Sequence, residues 1–173
     1  ARIQELDRLA SAQRPDSDLG KLKAAAGKDY VQVDPAVYEM IDFAKTYSEK
    51  SQGAWDITTG VITDLWGIGT DNQRIPSDEE IAAAESLVNY KDILLRPEDH
   101  SVKLAKAGMS IDLGGIAKGY AVDEVRAIFA KHHIENGLIN LGASSMYALG
   151  SNAKGGPWRI GIKHPRNDDK DTY

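Results

Sequence analysis

The run Ser110-Ile-Asp-Leu-Gly-Gly-Ile-Ala-Lys-Gly-Tyr-Ala-Val-Asp123 holds residue types at spacings that could do chemistry. Its start is strand-like, Gly114-Gly115 interrupts it, and a helical pattern follows from about Ile116 to His133. Paired glycines let a backbone approach a ligand closely, and unpaired N–H groups at a helix start attract anions. Lys118 adds a cation in the first helical turn, and Asp112 offers a carboxylate at the strand end. The glycines and helix start suit phosphate; the carboxylate suits a hydroxyl or a ring N–H. Two named phosphate motifs fail here. Gly114 and Gly119 keep the Walker A interval, but Tyr120 stands where lysine is required, and the run is not Gly-x-Gly-x-x-Gly. The same residues also make a tight strand-to-helix turn whose Asp caps the helix. The residues alone leave both readings open.

A second candidate is Gly53-Ala-Trp-Asp-Ile-Thr-Thr-Gly60, followed by Leu65-Trp-Gly-Ile-Gly69. Hydroxyls, an Asp and glycines between aromatic residues could line a pocket. They could equally form a loop with Thr turns and two core-packed tryptophans. A third, Asn140-Leu-Gly-Ala-Ser-Ser145, either admits a ligand or makes a tight turn. His132 and His133 are adjacent and cannot face one partner from a helix. His100 and His164 stand apart, so the usual zinc spacings are missing. No Gly-x-Ser-x-Gly elbow exists for a serine hydrolase.

Periodicity names the elements that must position these residues. Ile3, Leu6 and Leu9 recur at helical spacing, and Arg14-Pro-Asp-Ser-Asp18 then breaks the chain with loop chemistry. Asp34-Pro35 is an N-cap followed by proline at the first helical position. Val37, Met40, Ile41 and Ala44 give that helix a buried face, and Gly53 ends it. Ser77 and Glu80 make a capping box for a helix with Ile81, Ala84 and Val88 inward. Asp92–Leu95 and Val102–Lys106 read as a hairpin about Pro97-Glu-Asp99. Ser110–Leu113, Leu138–Leu141, Met146–Leu149 and Trp158–Ile162 read as further strands. The helix after Gly115 is expected to face inward with Ala121, Val125, Ile128 and Phe129. The fold class is α+β, with a mixed, largely antiparallel sheet and packed helices.

Length and composition bound the rest. The 173 residues suit one domain spanning 1–173. Net charge is −5 without a basic block, which argues against a nucleic-acid or membrane-surface binder. Absence of cysteine excludes disulfides, thiolate metal sites and a Cys nucleophile. No stretch approaches the roughly 20 apolar residues of a membrane span. The N-terminus lacks the apolar core of a signal peptide. It begins inside a helical pattern, and the polar C-terminus stops just after a strand-like run, so both ends are expected to be cut.

Ile111–Asp123 resembles the signature of the ApbE family, the FAD:protein FMN transferases. Three further segments agree in order. Arg14–Leu19 resembles the family's early Ser-containing loop. Gly53–Gly60 with Leu65-Trp-Gly67 resembles its Gly-Ala-Phe-Asp-x-Thr-x-Gly block. Leu138–Gly142 with Tyr147–Gly150 resembles its Asn-Leu-Gly-Gly strand pair. The resemblance implies an ApbE, T-fold-like architecture. It also implies Mg²⁺-dependent transfer of FMN from FAD to a Thr or Ser hydroxyl of an acceptor protein, with release of AMP. Some members instead hydrolyse FAD to FMN and AMP; a module that binds FAD without cleaving it is the remaining alternative.

By the same resemblance Asp112 contacts the flavin dinucleotide and Lys118 reaches it. Ala54, Trp55 and Asp56 line its adenine or ribose side, and the carbonyl of Gly115 faces Mg²⁺. An extracytoplasmic, lipid-anchored location is also implied, with any anchor outside this chain. Gln13 takes the place of a flavin-stacking aromatic residue, a loss of about 1 kcal/mol of stacking. Gly142-Ala143 stands for the family's Gly-Gly. The family's Asp-Pro-x-Thr-Gly motif, which completes the metal site, does not occur in this sequence. The expectation is an FAD-binding portion lacking the C-terminal third and turning over little by itself.

Overall fold

Helix α3 (Pro35–Lys50) carries the core, and its start is set by side chains. Asp34 accepts the N–H of Ala36 at 2.9 Å, and Pro35 opens the first turn. Val37, Met40, Ile41 and Ala44 are buried, as their spacing predicts. Fully burying an aliphatic side chain of this size contributes about 1.5–3 kcal/mol. The face packs with Ile93, Val102, Leu104, Met109, Ile111 and Leu113. A computed structural model describes residues 2–162 of the chain.

Two units divide the chain, Ala1–Ala121 and Val122–Tyr173. The first begins with α1 (Arg2–Ala10), α2 (Asp18–Ala25) and β1 (Val31–Gln32). After α3 come α4 (Gly60–Trp66), α5 (Asp78–Glu85), β2 (Ile93–Arg96) and β3 (Ser101–Leu104). The strands form an antiparallel sheet in the order β1-β3-β2, with Val102 facing Val31 on one side and Leu95 on the other. The predicted β2–β3 hairpin and the capping box at Ser77 and Glu80 are both present. Helix α6 (Ala117–Lys131) starts in the first unit and ends in the second.

Helix α2 follows directly on the Arg14–Asp18 break and was not anticipated. Its signal is Ser17, a fully buried N-cap whose oxygen accepts the Gly20 N–H at 2.9 Å. Leu19, Leu22 and Ala26 supply the buried face behind it. Asp18, only 3% exposed, accepts the Asp34 N–H at 2.7 Å and pairs with Lys21 at 2.9 Å. The early Ser-containing loop therefore braces the start of α3.

The second unit contains the hairpin of β4 (Gly137–Leu141) and β5 (Ser145–Leu149), paired in register from Gly137↔Leu149 to Leu141↔Ser145. Its turn is tight: Asn140 Oδ1 accepts the Ala143 N–H at 2.8 Å. Gly137 lets the Phe129 ring lie close, since a Cβ there would meet Phe129 Cε2 at 2.8 Å and the ring would have to shift.

Three expectations are corrected. Ser110–Leu113 forms no strand. It lies against the start of α4, and its amide at Asp112 donates to the Ile57 carbonyl at 2.9 Å instead of to a strand neighbour. Trp158–Ile162 forms no strand either. The Trp158 indole N–H takes the Leu149 carbonyl at 3.0 Å, and Asn152 ties the preceding turn to the Pro157 carbonyl at 2.7 Å. On α6 the inward side is Ala121, Val122, Val125 and Phe129, while Ile128 is 42% exposed. His164 lies outside the described residues.

Candidate functional site

The site begins with a close backbone crossing in the first unit. Asp56 caps a short helical turn at Ile57–Thr59, and α4 follows at Gly60. A Cβ on Gly60 would meet the Ile111 carbonyl carbon at 2.6 Å and the Asp112 nitrogen at 2.9 Å. Only glycine allows this approach, and it places Asp112 beside α4. Ser110, 4% exposed, donates its hydroxyl to Asp64 Oδ2 on α4 at 2.5 Å.

Cavities lie along both sides of the Asp112–Gly115 turn. One of about 510 Å³ is lined by Gln13, Asp64, Arg74 and Asp112, with Thr63, Thr70 and Asn72 among its other walls. A second of about 230 Å³ lies between Trp55, Asp56, Asp112 and Gly115. A third of about 270 Å³ is lined by Tyr47, Ser51, Trp55, Gly115 and Ile116. Asp112 borders the first two, and Trp55 with Gly115 borders the last two. The cavity beside Asp64 and the aromatic one thus each share wall residues with the middle one.

The Asp112 carboxylate does not cap α6, as the simpler reading of the turn expects, but closes the turn that precedes it. Oδ1 accepts the Gly114 N–H at 2.6 Å. Oδ2 makes no hydrogen bond among the described residues. The start of α6 is less open to anions than the sequence suggests. The N–H groups of Ile116 and Ala117 both donate to the Leu113 carbonyl, at 2.9 and 2.8 Å.

Gln13, Asp112, Trp55, Asp56 and Gly115 are brought to these cavities. Gln13 also donates Nε2 to the Gly69 carbonyl at 3.2 Å, which ties its loop to the segment after α4. Asp56 is spent largely on the fold. Oδ1 accepts from the Thr58 N–H at 2.8 Å and the Thr58 hydroxyl at 2.7 Å, and Oδ2 from the Tyr90 N–H at 2.7 Å. Ala54 and Lys118 are exposed and line none of the three cavities. His100 packs edge-on against Tyr38 at 5.2 Å. Among the described residues no group of three or more His, Asp or Glu side chains converges as a metal site.

Sequence reading missed Asp64, Arg74 and Tyr47. Asp64 had a signal, lying between the Gly53–Gly60 block and Leu65-Trp-Gly67 on one short helix. Arg74 had a weaker one, in its approach to the Ser77 capping box. It grips Glu80 with two bonds of 2.7 and 2.8 Å. That grip, with the Ser77 N–H, pulls the Glu80 carboxyl from 4.5 to about 2. A lowered carboxyl pKa stabilises the folded arrangement above the unfolded value and loses its contribution as pH falls through the folded one. The segment from Arg74 to Glu80 is therefore expected to loosen only as pH falls from about 4.5 toward 2. Hydrogen exchange at the Ser77 and Glu80 amides reads this directly. A segment already loose at neutral pH contradicts it.

Comparison with known proteins decides the family. The model of the ApbE family matches residues 1–173. The chain belongs to the ApbE family. An FAD:protein FMN transferase of Treponema pallidum is 33% identical over 176 residues, covering 94% of this chain and 48% of that protein. One from Klebsiella pneumoniae is 33% identical, covering 96% and 50%. This ApbE chain thus spans about half the length of these relatives. Its fold is that of solved family members. The ApbE protein of Thermotoga maritima matches with a TM-score of 0.86 at 35% identity, covering 97% of this chain and 56% of that one. The flavin transferase ApbE of Vibrio cholerae matches at 0.88 and 26%, covering 99% and 55%.

Proposed function

We propose that this ApbE chain binds FAD along the Asp112–Gly115 turn and takes part in transferring its FMN moiety to a Thr or Ser hydroxyl of an acceptor protein. In that reaction the hydroxyl oxygen bonds to the FMN phosphorus and the bridging P–O bond breaks. AMP leaves, and the hydroxyl proton passes to a base or to solvent. The observation that carries the reading is the turn itself, where Asp112 borders two cavities and uses only Oδ1 to close the turn. Relatives matched over most of this chain are named FAD:protein FMN transferase, which supports the reading.

Such transfer rests on positioning and charge neutralisation more than on covalent help from the protein. Asp112 would accept a donor of the dinucleotide. Lys118, exposed in the first turn of α6, would reach toward the diphosphate by its flexible stem. Mg²⁺ belongs to the same proposal: the Gly115 carbonyl would be one oxygen ligand, a weak share of the shell this ion needs, with the carboxylates it usually takes still to be supplied. Bound there, the ion would neutralise charge on the diphosphate. The extracytoplasmic, lipid-anchored location implied by the resemblance is part of the proposal as well.

Calorimetric titration of FAD into this chain, with and without Mg²⁺, tests the reading. FAD is expected to bind, and more tightly with Mg²⁺. AMP release only in the presence of an acceptor hydroxyl marks transfer; release without one marks hydrolysis; binding without release marks an FAD module. No binding in either condition overturns the reading.

A further inference from the structure

Among the described residues, most donors around the largest cavity of the site are already paired, apart from the Asn72 side-chain amide and Arg74 Nε. Arg74 gives both Nη atoms to Glu80. Thr70 donates its hydroxyl to the Gly67 carbonyl at 2.8 Å, and Gln13 gives Nε2 to that of Gly69. Against these stand two carboxylates, Asp112 and Asp64. Asp64 is held from behind: Oδ2 takes the hydroxyl of Ser110 at 2.5 Å and the ammonium of Lys23 at 2.9 Å. Oδ1 makes no hydrogen bond among the described residues. Two anions beside a cation already paired repel phosphate. They favour a neutral group that brings its own O–H or N–H donors, since bonds to a charged acceptor are the stronger kind.

We infer that Asp64 is a specificity-determining residue of this cavity, reading hydroxyl groups on a neutral sugar or polyol part of the ligand while the diphosphate stays outside. The inference rests on the FAD reading and adds the orientation of the molecule. FAD has two parts of this chemistry, the ribityl chain of the flavin and the ribose of the adenosine. Ser110 and Lys23 act as positioning groups, fixing one carboxylate oxygen so that the other is presented.

Matched ligand pairs test it in this chain. Riboflavin is compared with lumiflavin, which lacks the ribityl hydroxyls, and adenosine with 2′,3′-dideoxyadenosine. One pair is expected to differ about tenfold in affinity, the scale of one hydrogen bond to a charged acceptor. The pair that differs identifies which half of FAD fills the cavity. In Asp64→Asn that difference is expected to shrink to less than twofold, with thermal melting close to the parent. Ser110→Ala keeps the charge but frees the carboxylate, and is expected to reduce the difference partly. A merely structural role would weaken both members of a pair equally, which overturns the inference. So does FAD binding with neither pair discriminated, or discrimination unchanged in Asp64→Asn. Failure to bind FAD at all overturns the parent reading instead, so the two failures are told apart.

Discussion

Gly60→Ala is expected to destabilise the chain by about 3 kcal/mol, the upper part of the range for overpacking. In a chain of this size that lowers the melting temperature by roughly 6–12 °C. The added methyl would meet backbone on one side, the Ile111 carbonyl carbon at 2.6 Å and the Asp112 nitrogen at 2.9 Å. Backbone cannot rotate away as a side-chain tip can. Relief requires the 110–112 segment to move from α4, which breaks the Ser110–Asp64 bond and displaces Asp112 from both cavities it borders. FAD affinity is therefore expected to fall with stability. Gly119→Ala is the control: nothing lies within 4 Å of its added Cβ, and alanine favours helix by about 0.5–1 kcal/mol. Thermal melts of the two variants check the pair. A Gly60→Ala protein that melts with the parent contradicts the crossing.

Asp56→Ala is expected to cost about 3–5 kcal/mol, measured by urea denaturation at neutral pH. The carboxylate receives three hydrogen bonds, two from Thr58 and one from the Tyr90 N–H. Thr58 is fully buried, and its hydroxyl oxygen in turn accepts the Asn89 N–H at 2.9 Å. Removing the acid strands two or three donors, each worth about 1–3 kcal/mol when left unmade. Asp56→Asn keeps one acceptor oxygen and is expected to cost about half as much. Because the carboxylate is engaged by the fold, Asp56→Asn is expected to weaken FAD binding less than Asp112→Asn. The reverse order would make Asp56 a ligand-binding residue first.

The contrast between these two acids marks what could be read from sequence. Helices with a cap and a long periodic face were legible, because capping and burial are local: Asp34-Pro35 with Val37 to Ala44, and Ser77 with Glu80. The β2–β3 and β4–β5 hairpins were legible because turn chemistry separates alternating runs. Ser110–Leu113 and Trp158–Ile162 have strand-like patterns too, but a strand needs a partner edge. The first run meets α4 through Gly60, and the second meets β5 through an indole. Such partners are distant in sequence and leave no periodic mark. For the site, the turn at Asp112 was legible because its glycines and acid are contiguous. Asp64 was not, because its role arises from Ser110, 46 positions away, and from Lys23. Asp56 was found, but its bonds to the fold were not legible: the sequence shows an acid between aromatic and hydroxyl residues, and cannot show that it also takes the Tyr90 N–H.

The neighbouring cavities give the Asp112–Gly115 turn a direction. On one flank stand Tyr47, Trp55 and Ile116, which offer ring faces and hydrocarbon; on the other stand Asp64, Gln13 and the threonines, which offer lone pairs. A molecule long enough to lie across both would be read like a key cut differently along its two halves. It could enter in one sense and not be turned end for end. A dinucleotide has two dissimilar ends joined at its middle, so this asymmetry would decide which side of the bridge faces an incoming nucleophile before any bond is broken.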